Sequence, residues 1–274
     1  MRELQSEIVE EMGVKPDIDP AEEVRRRTDF LAEYLQSVGA RGFVLGISGG
    51  VDSSLAGKLC QLAAEKLREQ GTEASFHAMR LPHGIQKDED DAVRALEFIG
   101  PDHTHTFNIE KAVTGVDVAF TESFGRNLRD YHRGNVKARL RMTAQYAVAG
   151  EQQALVVGTD QGAESITGFF TKHGDGGADI LPLSTLNKRQ VRRLLKHLGA
   201  SEHLYTKAPT ADLLDESPGQ LDEAELGIDY DRIDDYLEGR EIPEEDAEKL
   251  EQHYLATRHK RTVPVSIQDE WWRG

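Results

Sequence analysis

A chain of 274 residues with 38% hydrophobic content is long enough for one large domain or two small ones around a packed core. Its formal net charge of −16 excludes broad affinity for a nucleic-acid backbone, which needs a basic surface to displace counterions. The acidic start MRELQSEIVEEMG is unlike a secretory signal, the apolar runs are too short to span a bilayer, and the single cysteine, Cys60, excludes an internal disulfide framework and a multi-thiolate metal site, so a cytoplasmic location and no membrane partner are expected.

Short apolar or alternating runs bounded by Gly, Pro or Asp predict strands at 43–47, 75–81, 103–109 and 154–158. Between them lie helices. Over 54–69, Leu55, Leu59, Leu62 and Ala63 share one arc and Lys58, Gln61 and Glu65 the opposite one, the period of a half-buried helix, and 88–99 and 135–149 behave alike. Alternation of strands with helix-length connections predicts an α/β fold, a doubly wound, mostly parallel sheet with helices on both faces. In such sheets ligands bind at the carboxyl ends of the strands. The last third differs. Residues 187–198 predict a basic helix, 210–230 (TADLLDESPGQLDEAELGIDY) a mobile loop with short helical pieces, and 243–260 a helix packed on the sheet or on another subunit.

Residues 46–54 read GISGGVDSS and follow the first predicted strand. Successive N–H groups of a glycine-rich turn face one concavity, the start of a helix near Ser53 or Ser54 adds its partial positive charge, and serine hydroxyls add donors, so the turn suits an anion. Asp52 would repel phosphates unless a divalent cation lies between, which points to Mg²⁺. A tight strand-to-helix turn capped by serine and aspartate is the competing use of these letters. Two other glycine motifs fail. A Walker loop would need glycine at Asp52 and Ser or Thr at Leu59, and the run GDGGAD at 174–179 ends in Asp179 where the dinucleotide fingerprint needs glycine or alanine.

SGGVDS matches the SGGxDS loop of the ATP pyrophosphatases, which split ATP between its α and β phosphates to adenylate a substrate. Beyond the loop, RLPHGIQ, RGNVKARLRMTAQY, VVGTDQGAESITGFFTKHGDGGADILPL, LNKRQVR, KAPTADL, DDYLEG and the HKR near the end make the chain resemble the ammonia-dependent NAD synthetases along essentially its whole length. That resemblance implies a single domain over 1–274 without a glutaminase domain, a homodimer, and amidation of deamido-NAD with ammonia through an adenylated nicotinate, releasing AMP and pyrophosphate. It also implies roles. Gly46, Ile47, Ser48, Gly49, Gly50, Val51, Asp52 and Ser53 would wrap the pyrophosphate end of ATP, with Ser48 and Ser53 among the catalytic groups. Asp52 and Glu164 match the metal carboxylates, whose arrival from separate strand ends suits Mg²⁺. Arg80, Gln86, Thr159 and Thr210 match positions contacting ATP, and Lys188 the lysine that reaches its phosphates. Arg139, Lys172, Asp179, His259 and Lys260 match positions contacting deamido-NAD, the last two across a dimer interface if they act.

In this reading Lys188, Mg²⁺ and the loop N–H groups stabilise charge building on pyrophosphate, and Asp179 holds the ammonium or takes its proton. Cys60 falls at the edge of the packing face of its helix and reads as structural. Relatives commonly carry Gln at Val51 and Tyr at His83, departures that leave the phosphate and metal chemistry untouched. A different adenylating pyrophosphatase and a non-catalytic adenine-nucleotide-binding module are the competing readings. Identification of the product separates the first, and substrate-dependent pyrophosphate release the second.

Overall fold

The computed structural model describes residues 2–84, 89–211 and 220–273, without the side chains of 210, 211, 220 and 221. Two helices open the chain, α1 (Glu3–Met12) and α2 (Pro20–Val38). The second is started by Asp19, whose carboxylate accepts the Glu22 N–H at 2.8 Å, and by a proline in the first turn, where a missing N–H costs nothing. Then the alternation begins: β1 (Gly42–Gly46), α3 (Val51–Glu69), β2 (Ser75–Arg80), α4 (Glu89–Ile99), β3 (His103–Thr106), α5 (Glu110–Phe124), α6 (Asp130–Gln152) and β4 (Leu155–Val156). α1, α2 and α5 lie outside the elements predicted above.

The four strands form one parallel sheet in the order β3-β2-β1-β4, the doubly wound arrangement expected. Parallel strands covered on both faces become continuously apolar, which is why Phe43, Val44 and Leu45 are all buried. On one face Phe43, Leu45, Phe76 and Ala78 pack under α2 and α3 and the later helix α8 (Lys188–His197). On the other, Val44, Met79 and Val156 pack with Ala144 and Ala149 of α6. Each fully buried leucine of α3, such as Leu55 and Leu59, contributes about 1.5–3 kcal/mol of apolar transfer energy. Cys60 is fully buried in the same cluster, and burial pushes its thiol pKa up, so it belongs to the core and not to a reactive site.

Three predicted boundaries shift. β3 ends at Thr106 instead of 109: the Phe107 and Ile109 N–H groups still reach the Arg80 and Pro82 carbonyls, at 2.8 and 2.9 Å, but proline has no N–H for the intervening bond of the parallel ladder. β4 covers Leu155–Val156 and is prolonged by a single parallel bridge from Val157 to Ile180. α3 starts at Val51, not at Ser53 or Ser54, because Gly50 already takes the extended N-cap conformation.

A third cluster joins α1 to the remaining helices α7 (Gly162–Thr167), α11 (Tyr230–Leu237) and α12 (Glu244–Ala256), through Ile8, Ile166, Ile233 and Leu250. Between α8 and α11 come α9 (Glu202–Thr206), the short antiparallel pair β5 (Thr210–Ala211) and β6 (Gln220–Leu221), and α10 (Asp222–Leu226). Of the acidic stretch expected as a mobile loop with short helical pieces, the described residues hold this strand pair and the short helix α10, and 212–219 lie outside them. α13 (Arg258–Arg261) follows α12, so the predicted helix over 243–260 is broken near Thr257.

Candidate active site

The site is built at the carboxyl ends of β1 and β4. Gly46 closes β1 by donating its N–H to Gln145 Oε1 of α6 at 2.7 Å, and Ile47 donates to the Met79 carbonyl at 2.8 Å. The chain then turns through Gly49, whose φ of +79° is left-handed. A side chain there would also meet the backbone of Asp91 and Ala92 at 2.6 Å, so α4 packs on the turn where only glycine fits. Gly50 is the N-cap of α3 and no side chain caps it. The serines bond within the turn: Ser48 Oγ accepts the Gly50 N–H at 3.2 Å and lies 3.1 Å from Ser53 Oγ, and the Ser53 and Ser54 hydroxyls donate to the Gly50 carbonyl at 3.2 and 2.7 Å. Serines thus brace the turn itself, while the N-cap residue supplies no side-chain cap to α3. The first-turn N–H groups of a long helix are left for an anion, as the dipole favours.

Lys188 faces this turn from the first residue of α8. Asn187 and Gln190 form a reciprocal capping box, and Asp234 of α11 accepts the Lys188 and Arg189 N–H groups at 3.1 and 2.7 Å. That end of the helix is fully satisfied, which frees its lysine side chain for the cavity. Lys188 is 2% exposed, with Nζ 2.6 Å from Asp52 Oδ2, 3.5 Å from Glu164 Oε1 and 4.8 Å from the Tyr230 ring centroid. Burial alone would lower its pKa, but the charges of Asp52 and Glu164 outweigh it and hold the ammonium form. Burial and the Asp52 charge raise Glu164, against the opposing pull of Lys188. Its neighbours in the basic run do not share this place: Arg189 is spent on Asp235 and Glu238.

These groups line a cavity of about 580 Å³, within the size range of small-molecule sites. Among the described residues its charged lining holds the carboxylates Asp52, Glu164, Asp175, Asp222 and Glu225 against the cations Arg141, Lys188, Lys207 and Lys260. Beside it, Asp160 is 8% exposed, and burial, then the charges of Asp175 and Asp52, push its pKa up to about 7. Asp175 opens into the cavity, accepts the Thr171 N–H at 3.0 Å and is likewise raised, first by desolvation. Neither aspartate is in the sequence-derived set. The signal was available in both cases, because Asp160 directly follows Thr159 at a strand end and Asp175 stands in the same GDGGAD turn as Asp179.

Of the expected residues, Gly46, Ile47, Ser48, Gly50, Val51, Asp52, Ser53, Thr159, Glu164, Lys188 and Lys260 all line the cavity, while Gly49 supports the loop from behind. Arg80 is not among the described lining residues and pairs with Glu89 at 2.9 Å. Gln86 lies outside the described residues; Thr210 is described only by its backbone, paired with Leu221. Asp179 faces β4 rather than the cavity: its oxygens accept the Tyr146 hydroxyl at 3.0 Å and the Val156 N–H at 2.8 Å. Arg139, Lys172 and His259 are brought together as a chain, Arg139 Nε donating to the Lys172 carbonyl at 3.3 Å and Lys172 Nζ to the His259 carbonyl at 2.5 Å. Lys260 differs from its expectation. Its Nζ donates to the Gly168 and Phe170 carbonyls at 2.8 and 2.9 Å, in the wall of its own chain's cavity, so its reach into the site needs no partner subunit.

Comparison with known proteins agrees with this geometry. A family model described as NAD synthase matches residues 23–264. The NH(3)-dependent NAD(+) synthetase of Leifsonia xyli subsp. xyli is 59% identical over 274 residues, covering 100% of this chain and 98% of the relative. That of Bacillus subtilis (strain 168) is 57% identical over 270 residues, covering 98% and 99%. Among solved structures, the NAD+ synthetase of Burkholderia pseudomallei superposes with a TM-score of 0.82 at 48% identity, covering 95% of this chain and 96% of that one. The NMN synthetase of Francisella tularensis gives 0.80 at 34%, covering 92% and 100%. Matches of this extent span the segments that carry the loop, Glu164 and Lys188 as well as the sheet, and the chain belongs to the NAD synthase family.

Proposed function

We propose that this chain converts deamido-NAD to NAD, using ATP to activate the nicotinate carboxylate and ammonia to aminate it, with release of AMP and pyrophosphate. The observation that carries the reading is Lys188 held between Asp52 and Glu164 at the uncapped start of α3. A carboxylate and ammonia do not condense at neutral pH, because oxide or hydroxide would have to leave. In the first step a carboxylate oxygen attacks the α-phosphorus of ATP and the bond to the β-phosphate oxygen breaks. Lys188, the first-turn N–H groups of α3 and the Ser48 and Ser53 hydroxyls meet the charge that builds on the departing pyrophosphate. In the second step nitrogen adds to the acyl carbon and AMP leaves with the bonding electrons. Asp175, with Asp160 behind it, is the acid pair placed to hold an ammonium ion and accept its proton: desolvation raises both, and at Asp160 the charges of Asp175 and Asp52 add to it and push the pKa up to about 7. Asp179, engaged by Tyr146 and Val156, orients the wall instead.

The donor set fits Mg²⁺. Asp52 Oδ1 is buried with no hydrogen-bond partner among the described residues, and the carboxylate surplus of the lining would repel a nucleotide unless cations accompany it. No trio of described His, Cys, Asp or Glu side chains could hold a metal, so Asp52 and Glu164 would share the ion with phosphate oxygens and water. Bound there, Mg²⁺ supplies charge neutralisation at the phosphates. The same reading carries one catalytic domain, with Asp222 and Glu225 of α10 in the lining beside the nucleotide. It also carries a homodimer, supported by the apolar side chains that α5 exposes, Val118 at 51% and Phe124 at 64%. Cytoplasmic location accords with the buried free thiol, and none of the described helices is long and apolar enough to cross a membrane.

The test is formation of NAD from deamido-NAD, ATP, Mg²⁺ and ammonium, with AMP and pyrophosphate in equal amounts. Glutamine in place of ammonium should give none. Likeness to an NMN synthetase favours a second reading in which the nicotinate is carried by a mononucleotide, and the same assay with nicotinate mononucleotide decides between them.

A further inference from the structure

We propose that Arg261 is a positioning residue of the reaction, holding the cavity wall at Lys260 and the carboxylate of Glu164 as one unit. The inference rests on the reading above and adds to it the last residue of the HKR run. Arg261 ends α13, and its side chain is 8% exposed. Nη1 donates to the Ser165 carbonyl of α7 at 3.2 Å and to Thr257 Oγ1 at 3.0 Å, Nη2 donates to the Tyr254 carbonyl of α12 at 2.8 Å, and Nε lies 3.5 Å from Glu11 Oε1 of α1. The guanidinium also lies over the Tyr254 ring, 4.2 Å from its centroid, and the Tyr254 hydroxyl donates to Glu11 Oε2. One side chain thus ties three helices to the segment that carries Lys260.

α7 needs such a hold. It has six residues, where an isolated helix needs about 12–15 to persist in water, and its sequence GAESIT offers no cation to the negative end of its own dipole. Lys260 and Arg261 supply that charge from far along the chain. Lys260 takes the Gly168 and Phe170 carbonyls just past the helix, and Arg261 the Ser165 carbonyl within it. The two segments are in close contact: a Cβ on Gly168, the left-handed C-cap of α7, would stand 2.3 Å from Thr257 Cβ. Ser165 follows Glu164, whose Oε1 is 3.5 Å from Lys188 Nζ, so a slide of α7 along its axis displaces a carboxylate of the site. Ala163 and Ile166, fully buried in the cluster with α1, α11 and α12, fix which side of α7 faces the core. Apolar contact is non-directional, however, and the axial position is set by hydrogen bonds, for which a planar guanidinium fork is suited. Arg261 therefore acts on Lys260 through the chain and on Glu164 through the Ser165 carbonyl.

The alternative is a tie that only stabilises the fold, and it predicts no change at the site in a variant that stays folded. Wild type, Arg261→Met, Arg261→Gln and Glu11→Gln are compared as full chains, well below their melting transitions. Binding of deamido-NAD is measured by calorimetry with Mg²⁺ and the non-cleavable analogue α,β-methylene ATP at saturation, and the Mg²⁺ requirement by titration of pyrophosphate release. Positioning predicts that Arg261→Met weakens deamido-NAD binding about tenfold, through Lys260, and raises the Mg²⁺ needed for half-maximal rate about tenfold, through Glu164, the scale of one lost charged hydrogen bond. Arg261→Gln should recover part of both, because its amide can still donate to the Ser165 carbonyl, and it carries the test if the methionine variant does not fold. Glu11→Gln keeps the bonds of Arg261 to the Ser165 and Tyr254 carbonyls, so it should lower the melting temperature and leave both readouts within about twofold of wild type. Both readouts unchanged in the Arg261 variants, a change in one without the other, or equal losses in Glu11→Gln would each overturn the proposal. Failure of wild type itself to bind deamido-NAD is a different result, and it removes the reading on which the proposal stands.

Discussion

Lys188 Nζ stands 2.6 Å from Asp52 Oδ2, joining the first turn of α8 to the first turn of α3 across the cavity. With both side chains largely buried, at 3% and 15% exposure, removing the lysine leaves two carboxylates facing each other with nothing between them. Lys188→Met should lower the rate of deamido-NAD-dependent pyrophosphate release by about 100-fold or more, the usual scale for losing one electrostatic donor at a transition state. It should also change the metal response. Mg²⁺ should raise the melting temperature of the variant more than that of wild type, because the ion then relieves an uncompensated repulsion. Equal shifts would mean that Asp52 and Glu164 do not form the metal site.

Asp175 and Asp179 stand four residues apart in one turn, yet they predict different phenotypes. Asp175→Asn should raise KM for ammonium by about tenfold or more with the melting temperature little changed, since its carboxylate opens into the cavity. Asp179→Asn should destabilise by about 1–3 kcal/mol, because one amide oxygen cannot accept from both the Tyr146 hydroxyl and the Val156 N–H. Ammonium saturation curves and urea denaturation of both variants check the pair. A normal ammonium KM in Asp175→Asn returns the role to Asp179.

His77 ties stability to pH. Its ring lies on β2, 5% exposed, with Nε2 3.0 Å from Ser75 Oγ, Nδ1 3.1 Å from His105 Nε2, and its centroid 4.6 Å from that of His103. Burial first, then the neighbouring histidines, lower its pKa to about 4, against a weak opposing effect of Asp102. The unfolded chain binds this proton near the ordinary value of about 6.5 and the folded chain does not until about pH 4, so stability falls as pH falls through that window. The slope from one proton is at most about 1.4 kcal/mol per pH unit. Urea midpoints of wild type should decline more steeply from pH 7 to 5 than those of His77→Gln, and parallel declines would assign the acid sensitivity to other groups.

Gly49 and Gly125 separate strain from close approach. Both have positive φ, +79° and +65°, but a Cβ at Gly49 meets the backbone of α4 while one at Gly125 meets nothing within 4 Å. Gly125→Ala should cost about 1–2 kcal/mol of left-handed strain and leave ATP binding unchanged. Gly49→Ala should cost more in a thermal melt and weaken binding of an ATP analogue, because α4 must shift off the phosphate loop.

Much of this architecture is written locally. A strand such as 43–47 and a helix such as 54–69 follow from side-chain period, and the character of SGGVDS follows from what glycine, serine and aspartate do at the end of a buried strand. These are short-range properties, so the parallel sheet, the nucleotide loop and the class of chemistry were legible in the letters, and the matching motifs downstream named the family. Boundaries were less so where partners decide them. β3 stops opposite Pro82, and α3 starts early because Gly50 caps it without a side chain.

What the linear chain could not contain is which charges meet. Lys188 in NKRQVRR is indistinguishable by composition from Arg189, yet the capping box at Asn187 and the packing of α8 against α11 bury one and leave the other on Asp235 and Glu238. Asp175 and Asp179 are equally acidic, and only the return of 178–180 alongside β4 turns Asp179 to the sheet and leaves Asp175 in the cavity. Local sequence determined the elements and the phosphate loop, because dihedral preference and hydrophobic period act over a few residues. Tertiary structure alone decided the electrostatics of the site, because burial and charge separation are set by segments that lie more than a hundred residues apart, as Asp52 and Lys188 do.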